Sequence, residues 1–405
     1  MAVGETIELD LERIDRLIEE EEAKLEPKHR ASSEYREVAV RTVTGGVASS
    51  RQAAPPHAIF VDHGQGSHLW DIDGNEYVDF HLGYGVMVVG HAHPRIVEAV
   101  ERQIRRGSHF AQPTKGLDVV GENLVDRFGL ALWRFCNSGT EATLEAARLM
   151  RAVTGRDLII KIEGSYHGHD DSLMFSVVPD PEKIGPREHP FTLPQVLGIP
   201  QVFAELVRVV PFNDLAEVER AFAENEGKVA GMIVEPAMIN CGVIMPEPGY
   251  LQGLKDLCHR NGALLTFDEV KTGATVAHGG AVEVFGVTPD IVTLAKAIGG
   301  GLPCGAIGAT EEAFSLVAKG ETDMAGTFNG NPLTMAASKA TRTEILTKGA
   351  YDHLNEIHRI LSEGCTAAIE RHRLPAYVTG VGAKGSVIYS ATPVREYRNS
   401  AAVAG

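Results

Sequence analysis

From about Pro94 to Lys296, short apolar runs alternate with stretches of helical spacing, and this rhythm constrains the fold more than any other property of the chain. The runs LWRF (132–135), LIIKI (158–162), MIVEP (232–236), LLTFDEV (264–270) and IVTLAK (291–296) are short and apolar enough to be buried strands. Between them, 95–105, 139–153 and 250–260 carry helical spacing. Strands alternating with helices predict an α/β fold with a mostly parallel central sheet flanked by helices. Ahead of this region, Leu9–Leu25 predicts an exposed acidic helix, and Ile59–Phe80, turning at Asp71–Asn75, an antiparallel hairpin or meander. Behind it, Pro332–Leu346 and Tyr351–His372 predict long helices followed by the strand-like VTGVG and GSVIYS.

At 405 residues the chain is long for one core and predicts two domains. The expected division is 1–81 as the N-terminal part of a small α+β domain, 82–330 as the large domain, and 331–405 as the C-terminal part of the small domain. A formal charge of −16 argues against nucleic acid or an anionic membrane as partner, since both require clustered Lys and Arg. Five scattered cysteines with no C-x-x-C pair indicate neither a disulfide framework nor a zinc knuckle, and predict a reducing cytoplasm. The Glu-rich N-terminus is unlike a secretory or transit signal, and no run is long enough to span a membrane.

Sheets of this kind hold ligands at the carboxyl ends of their strands, so the residues following each apolar run carry the information. After LWRF, Ser138 and Glu141 form an S-x-x-E capping box, which alone requires only a satisfied helix start. The same position lets the amides of Gly139 and Thr140 and the hydroxyls of Ser138 and Thr140 cradle a phosphate at the positive end of a helix. LLTF ends in Asp268, a carboxylate costly to bury unless a cation meets it: a salt-bridge partner, or a protonated ring nitrogen. IVTLA delivers Lys296 beside Gly299–Gly301; a buried amine is more readily deprotonated and attacks carbonyls, although most lysines are surface charges. A phosphate cradle, an acid for a pyridinium nitrogen and a Schiff-base lysine are together what pyridoxal 5'-phosphate (PLP) chemistry requires.

The motifs NSGTEAT (137–143), SYHGHDD (165–171), VEP followed by Asn240, FDEVKTG (267–273), GVTPDIVTLAKAIGGGLPCGA (286–306) and GTFNGNPLTMAA (326–337) resemble those of the class III aminotransferases. Within that family of fold type I PLP-dependent enzymes, they are most similar to the glutamate-1-semialdehyde 2,1-aminomutase branch, over roughly Gly45 to Arg398. The resemblance implies that Lys296 carries PLP as a Schiff base and shuttles the substrate proton, and that Asp268 pairs with the pyridine nitrogen. It implies that Tyr166 and Val270 take the two ring faces, and that Ser138, Gly139 and Thr140 hold the phosphate. Thr327 reaches that phosphate from the second subunit of a homodimer, Glu235 and Asn240 lie near the ring substituents, and Tyr84 and Arg51 border the substrate. An Arg fork at 51 suits a carboxylate.

The implied activity is amino transfer between a carboxylate-bearing amino or β-amino acid and a carbonyl acceptor, with intramolecular transfer by an aminomutase as the alternative. Racemisation and decarboxylation are also within such a site's chemistry, and a catalytically silent PLP-fold binding protein is the reading from a different class. After FDEV the chain reads KTGATVAHGG, where aminomutases carry Phe-Arg, and the family continues beyond the position of Gly405, so a truncated or unusual small domain is expected. The loop 177–201 is read either as a specificity element near the cleft or as a solvated excursion. The alternate histidines His167 and His169, and His91 and His93, are not read as metal ligands, because no third ligand set accompanies them.

Overall fold

The computed structural model describes residues 10–54 and 58–404. They divide into two compact units, one of residues up to Leu82 together with Gly90–His93, the other of Gly83–Val89 and the chain from Pro94 onward.

In the first unit, helices Leu11–Leu25 and Arg30–Ala39 precede an antiparallel meander of β1 (Val61–Gln65), β2 (His68–Asp71) and β3 (Glu76–Val78). The turn between β2 and β3 caps the second helix: the Asp73 carboxylate accepts the Ser32 amide at 3.0 Å and its hydroxyl at 2.7 Å. Asp71 in turn accepts the Tyr77 hydroxyl at 2.7 Å. The helix Leu11–Leu25 buries none of its residues, in keeping with its Glu-rich sequence.

The second unit is built on seven strands: β4 (Leu132–Cys136), β5 (Leu158–Ile162), β6 (Val207–Val210), β7 (Val229–Val234), β8 (Leu264–Asp268), β9 (Ile291–Ala295) and β10 (Gly305–Ala309). Their order across the sheet is β4-β10-β9-β8-β7-β5-β6, and β10 alone runs against its neighbours. Every residue of β5, β7, β9 and β10 is buried, as a sheet covered on both faces demands. Because β4, β5, β7, β8 and β9 share one direction, the residues that follow them gather along one edge. The reversed strand can enter beneath that edge only as Gly305, where a methyl would lie 2.5 Å from the Ser138 carbonyl oxygen.

Beyond the sheet, the expected helix to Leu346 runs regularly only over Pro332–Lys339 and then widens into a π turn at Ala340–Ile345. After the helix Lys348–His372, a hairpin of β11 (Tyr377–Val381) and β12 (Lys384–Ile388) leads to a final helix, Tyr397–Ala404. That helix fastens the loops behind the sheet edge: Arg398 Nε donates to Glu163 at 2.8 Å, and the Tyr397 hydroxyl donates to the Pro179 carbonyl at 2.7 Å. Glu396 and Asp214 share Arg187, so the 177–201 loop is pinned by ion pairs rather than merely solvated. No helix among the described residues is long and apolar enough to cross a membrane.

Candidate active site

The gathered strand ends surround a cavity of about 110 Å³. Gly139, Thr140, Tyr166, Glu235, Asn240, Asp268, Val270 and Lys296 line it, so eight residues singled out from sequence share one wall. No residue of the 177–201 loop is among the lining.

At the end of β4, Ser138 caps the helix Gly139–Thr154 by accepting the Glu141 amide at 3.1 Å. The other half of the expected capping box is displaced: the Glu141 carboxylate accepts from the amide of Asn137 at 2.6 Å, one residue before the cap. The amides of Gly139 and Thr140, first in the helix, have no intrahelical acceptor and face the positive end of its dipole. Opposite, Asp268 closes β8 in a fixed pose. One carboxylate oxygen meets His167 Nδ1 at 2.7 Å; the other accepts the Val270 amide at 3.0 Å. His167 is fully buried and its Nε2 has no partner among the described residues. Sequence reading had not assigned it a role; its signal was its place five residues beyond a buried strand, directly after Tyr166.

Glu235, after β7, accepts the Tyr166 amide at 3.0 Å and the Asn240 side-chain amide at 2.9 Å, both on Oε1. Its Oε2 is buried without a partner, an acceptor left on the cavity wall. Next to Asp268, Glu269 points away and is spent on structure: its carboxylate accepts the amides of Ala281 at 2.6 Å and Val282 at 3.1 Å, and the Thr272 hydroxyl at 2.9 Å. Burial pushes it up to about 7 despite those bonds.

Lys296 follows β9 with φ of 52°, a left-handed conformation that a side-chain-bearing residue holds only when its surroundings impose it. Tyr84 is also left-handed, at φ 61°, and half-exposed. The remaining expected residues lie outside the lining. Thr327 is exposed, two residues before Asn329, whose side chain accepts from Asn137 at 3.0 Å. Arg51 sits in a short 3-10 turn, Ser50–Gln52, of the first compact unit. Among the described residues no group of three or more His, Cys, Asp or Glu side chains gathers as a metal site.

A seven-stranded sheet with this order of directions, and a strained lysine at the end of the strand beside Asp268, is the framework of PLP-dependent enzymes of fold type I. Among these the chain belongs to the class-III aminotransferase family, whose model matches residues 48–403. A glutamate-1-semialdehyde 2,1-aminomutase of Anaeromyxobacter sp. (strain Fw109-5) is 42% identical over 337 residues, 83% of this chain and 77% of that protein. An omega-transaminase structure from Sphaerobacter thermophilus superposes with a TM-score of 0.88 at 35% identity, covering 91% of this chain and 85% of the other. A glutamate-1-semialdehyde-aminomutase variant from Pseudomonas aeruginosa PAO1, solved in complex with PMP, does so with 0.89 at 30% identity, covering 98% and 88%. The cofactor is PLP, and the cavity suits it: the first amides of the helix Gly139–Thr154 offer an anion site, and Glu235 Oε2, without a partner among the described residues, offers an acceptor.

Proposed function

We propose that this enzyme moves an amino group from a carboxylate-bearing amino or β-amino acid to a separate carbonyl acceptor. The observation that carries the reading is the joint presence on one cavity wall of Lys296 and a His-supported Asp268. A silent binding protein needs neither. Bound PLP supplies an electron sink and a carrier for the amino group.

The chain's own residues divide the remaining work. Lys296 Nζ would hold the cofactor covalently and would move a proton at the substrate carbon. Asp268 keeps the ring nitrogen protonated, and His167 holds the carboxylate in place. Tyr166 and Val270 confine the ring between them. Ser138, Gly139 and Thr140 hold the phosphate, Glu235 and Asn240 hold the ring substituents, and Tyr84 borders the substrate. Thr327 serves the neighbouring subunit of a homodimer, a reading supported by its exposure beside the exposed Phe328. The assignment of the substrate carboxylate to Arg51 is tested by Arg51→Ala, which should raise KM far more than it lowers kcat. A reducing cytoplasm suits five unbridged cysteines.

The alternative, intramolecular transfer on glutamate-1-semialdehyde, is favoured by the aminomutases among the relatives. Against it stands the KTGAT sequence after FDEV. One experiment separates them: incubate the purified holoenzyme with single amino acids and β-amino acids, without acceptor, and quantify pyridoxamine 5'-phosphate. Stoichiometric formation with one donor supports intermolecular transfer. Turnover of glutamate-1-semialdehyde alone, with no donor forming that product, overturns it.

A further inference from the structure

Strand β5 carries one charge into the core. Lys161 is fully buried within a strand whose every residue is buried. An ammonium in such a place is costly unless it is paired or hydrogen-bonded. Here its Nζ donates to two backbone carbonyls, that of Ser165 at 2.9 Å and that of Phe175. These carbonyls stand at the two ends of the segment 165–175, so one ammonium closes the base of the loop between them. The loop carries Tyr166 and His167, both on the cavity wall, and His167 meets Asp268 at 2.7 Å.

The Ser165 carbonyl and the Tyr166 amide belong to a single peptide group, and in a trans peptide the two point in opposite directions. The carbonyl end accepts from Lys161, and the amide end donates to Glu235 Oε1 at 3.0 Å. That peptide is therefore held between an ammonium at its negative end and a carboxylate at its positive end, the orientation that stabilises its dipole at both. Withdrawal from water lowers Lys161 to about 7, and among the groups that oppose this shift Glu235 comes first. Other bonds fix the loop at other points. The Cys241 thiol donates to the Gly164 carbonyl at 3.0 Å, and the His169 amide donates to the Thr140 hydroxyl at 3.0 Å. Neither acts on the peptide that precedes Tyr166.

We propose that Lys161 is a positioning residue of the cofactor site: with Glu235 it clamps the Ser165–Tyr166 peptide and so sets Tyr166 against the ring of PLP. Lys161 itself is not part of the cavity lining. The inference rests on the assignment of Tyr166 to a ring face and is independent of which amino substrate the enzyme takes.

The test reads the bound cofactor and not turnover. Lys161→Met keeps the length of the side chain and its apolar stem while removing charge and donors. In that variant the affinity for PLP, by equilibrium dialysis, should fall about tenfold, and the visible circular dichroism of bound PLP should change, while the far-ultraviolet spectrum stays that of the parent. Lys161→Gln, which keeps donors without the charge, should lie between the two. Because Lys161 and Glu235 act on one peptide, the loss in Lys161→Met combined with Glu235→Gln should fall short of the product of the single losses by about threefold or more. Unchanged affinity and dichroism in folded Lys161→Met overturn the clamp, as does a double variant whose loss equals that product. Failure of both Lys161 variants to fold would make the lysine a condition of the fold rather than of the site, and overturns it too. Tyr166→Ala separates the two assignments. If it leaves the dichroism of bound PLP unchanged, the ring contact fails and the clamp with it; if it changes the dichroism and Lys161→Met does not, the clamp alone fails.

Discussion

Two groups of charges are held in different ways. Asp268 is gripped by His167 and a backbone amide, and Glu235 by the Tyr166 amide and Asn240, so each carboxylate is fixed in one pose by the protein itself. Lys384 follows a turn docked on Thr275–Val276, with Lys271 and Lys296 as its charged neighbours. Groups that act on a resident cofactor must be pre-set in the absence of substrate, because their geometry determines the chemistry.

The difference can be attacked from either side. The largest effect should come from Lys296→Ala, which removes amino transfer by at least ~10⁴-fold and leaves borohydride nothing to fix at that position, read by peptide mass after reduction. Asp268→Ala should lower kcat about 10³-fold, read by donor turnover with the PLP-loaded variant. Glu269, beside Asp268 but turned into the structure, gives a stability effect. Its carboxyl rises from an ordinary 4.5 to about 7, so between those values the folded chain keeps a proton that the unfolded chain has lost. Stability is therefore full below pH 4.5 and declines as pH rises to about 7, by up to about 3 kcal/mol. Urea unfolding of Glu269→Gln across this range should show the slope removed. The smallest of these effects belongs to His167→Ala, about 10- to 100-fold in kcat, because it acts through Asp268.

Legibility in the sequence followed the same division. Lys296, Asp268 and the Gly139–Thr140 pair stand within a few residues of an apolar run, so strand patterning alone placed them at one sheet edge, whereas Glu235 was reached through the family resemblance. His167 was harder, since its partner lies on a different strand and an alternate-histidine sequence resembles metal ligation more than support of a carboxylate. Lys384 was out of reach, because a lysine at a hairpin turn is ordinarily a solvated charge, and only the contact between Gly382 and Val276 brings it inward. Regular elements failed where side-chain pattern and backbone part company. The π turn at 340–345 continues a helical pattern through a widened turn, and β10, rich in Gly and Ala, has Ile307 as its one β-branched residue.

The docking of the 382–383 turn on Thr275–Val276 also sets an order in time. Lys384 leaves the ribosome more than a hundred residues after Lys271, a delay of roughly ten seconds at ordinary rates of synthesis. From the emergence of Ala309 until then, a nascent chain already holds all seven strands of the sheet and Lys296, while the turn that docks on Thr275–Val276 is still missing. A chain interrupted in that window would hold the complete sheet without the hairpin that docks on Thr275–Val276.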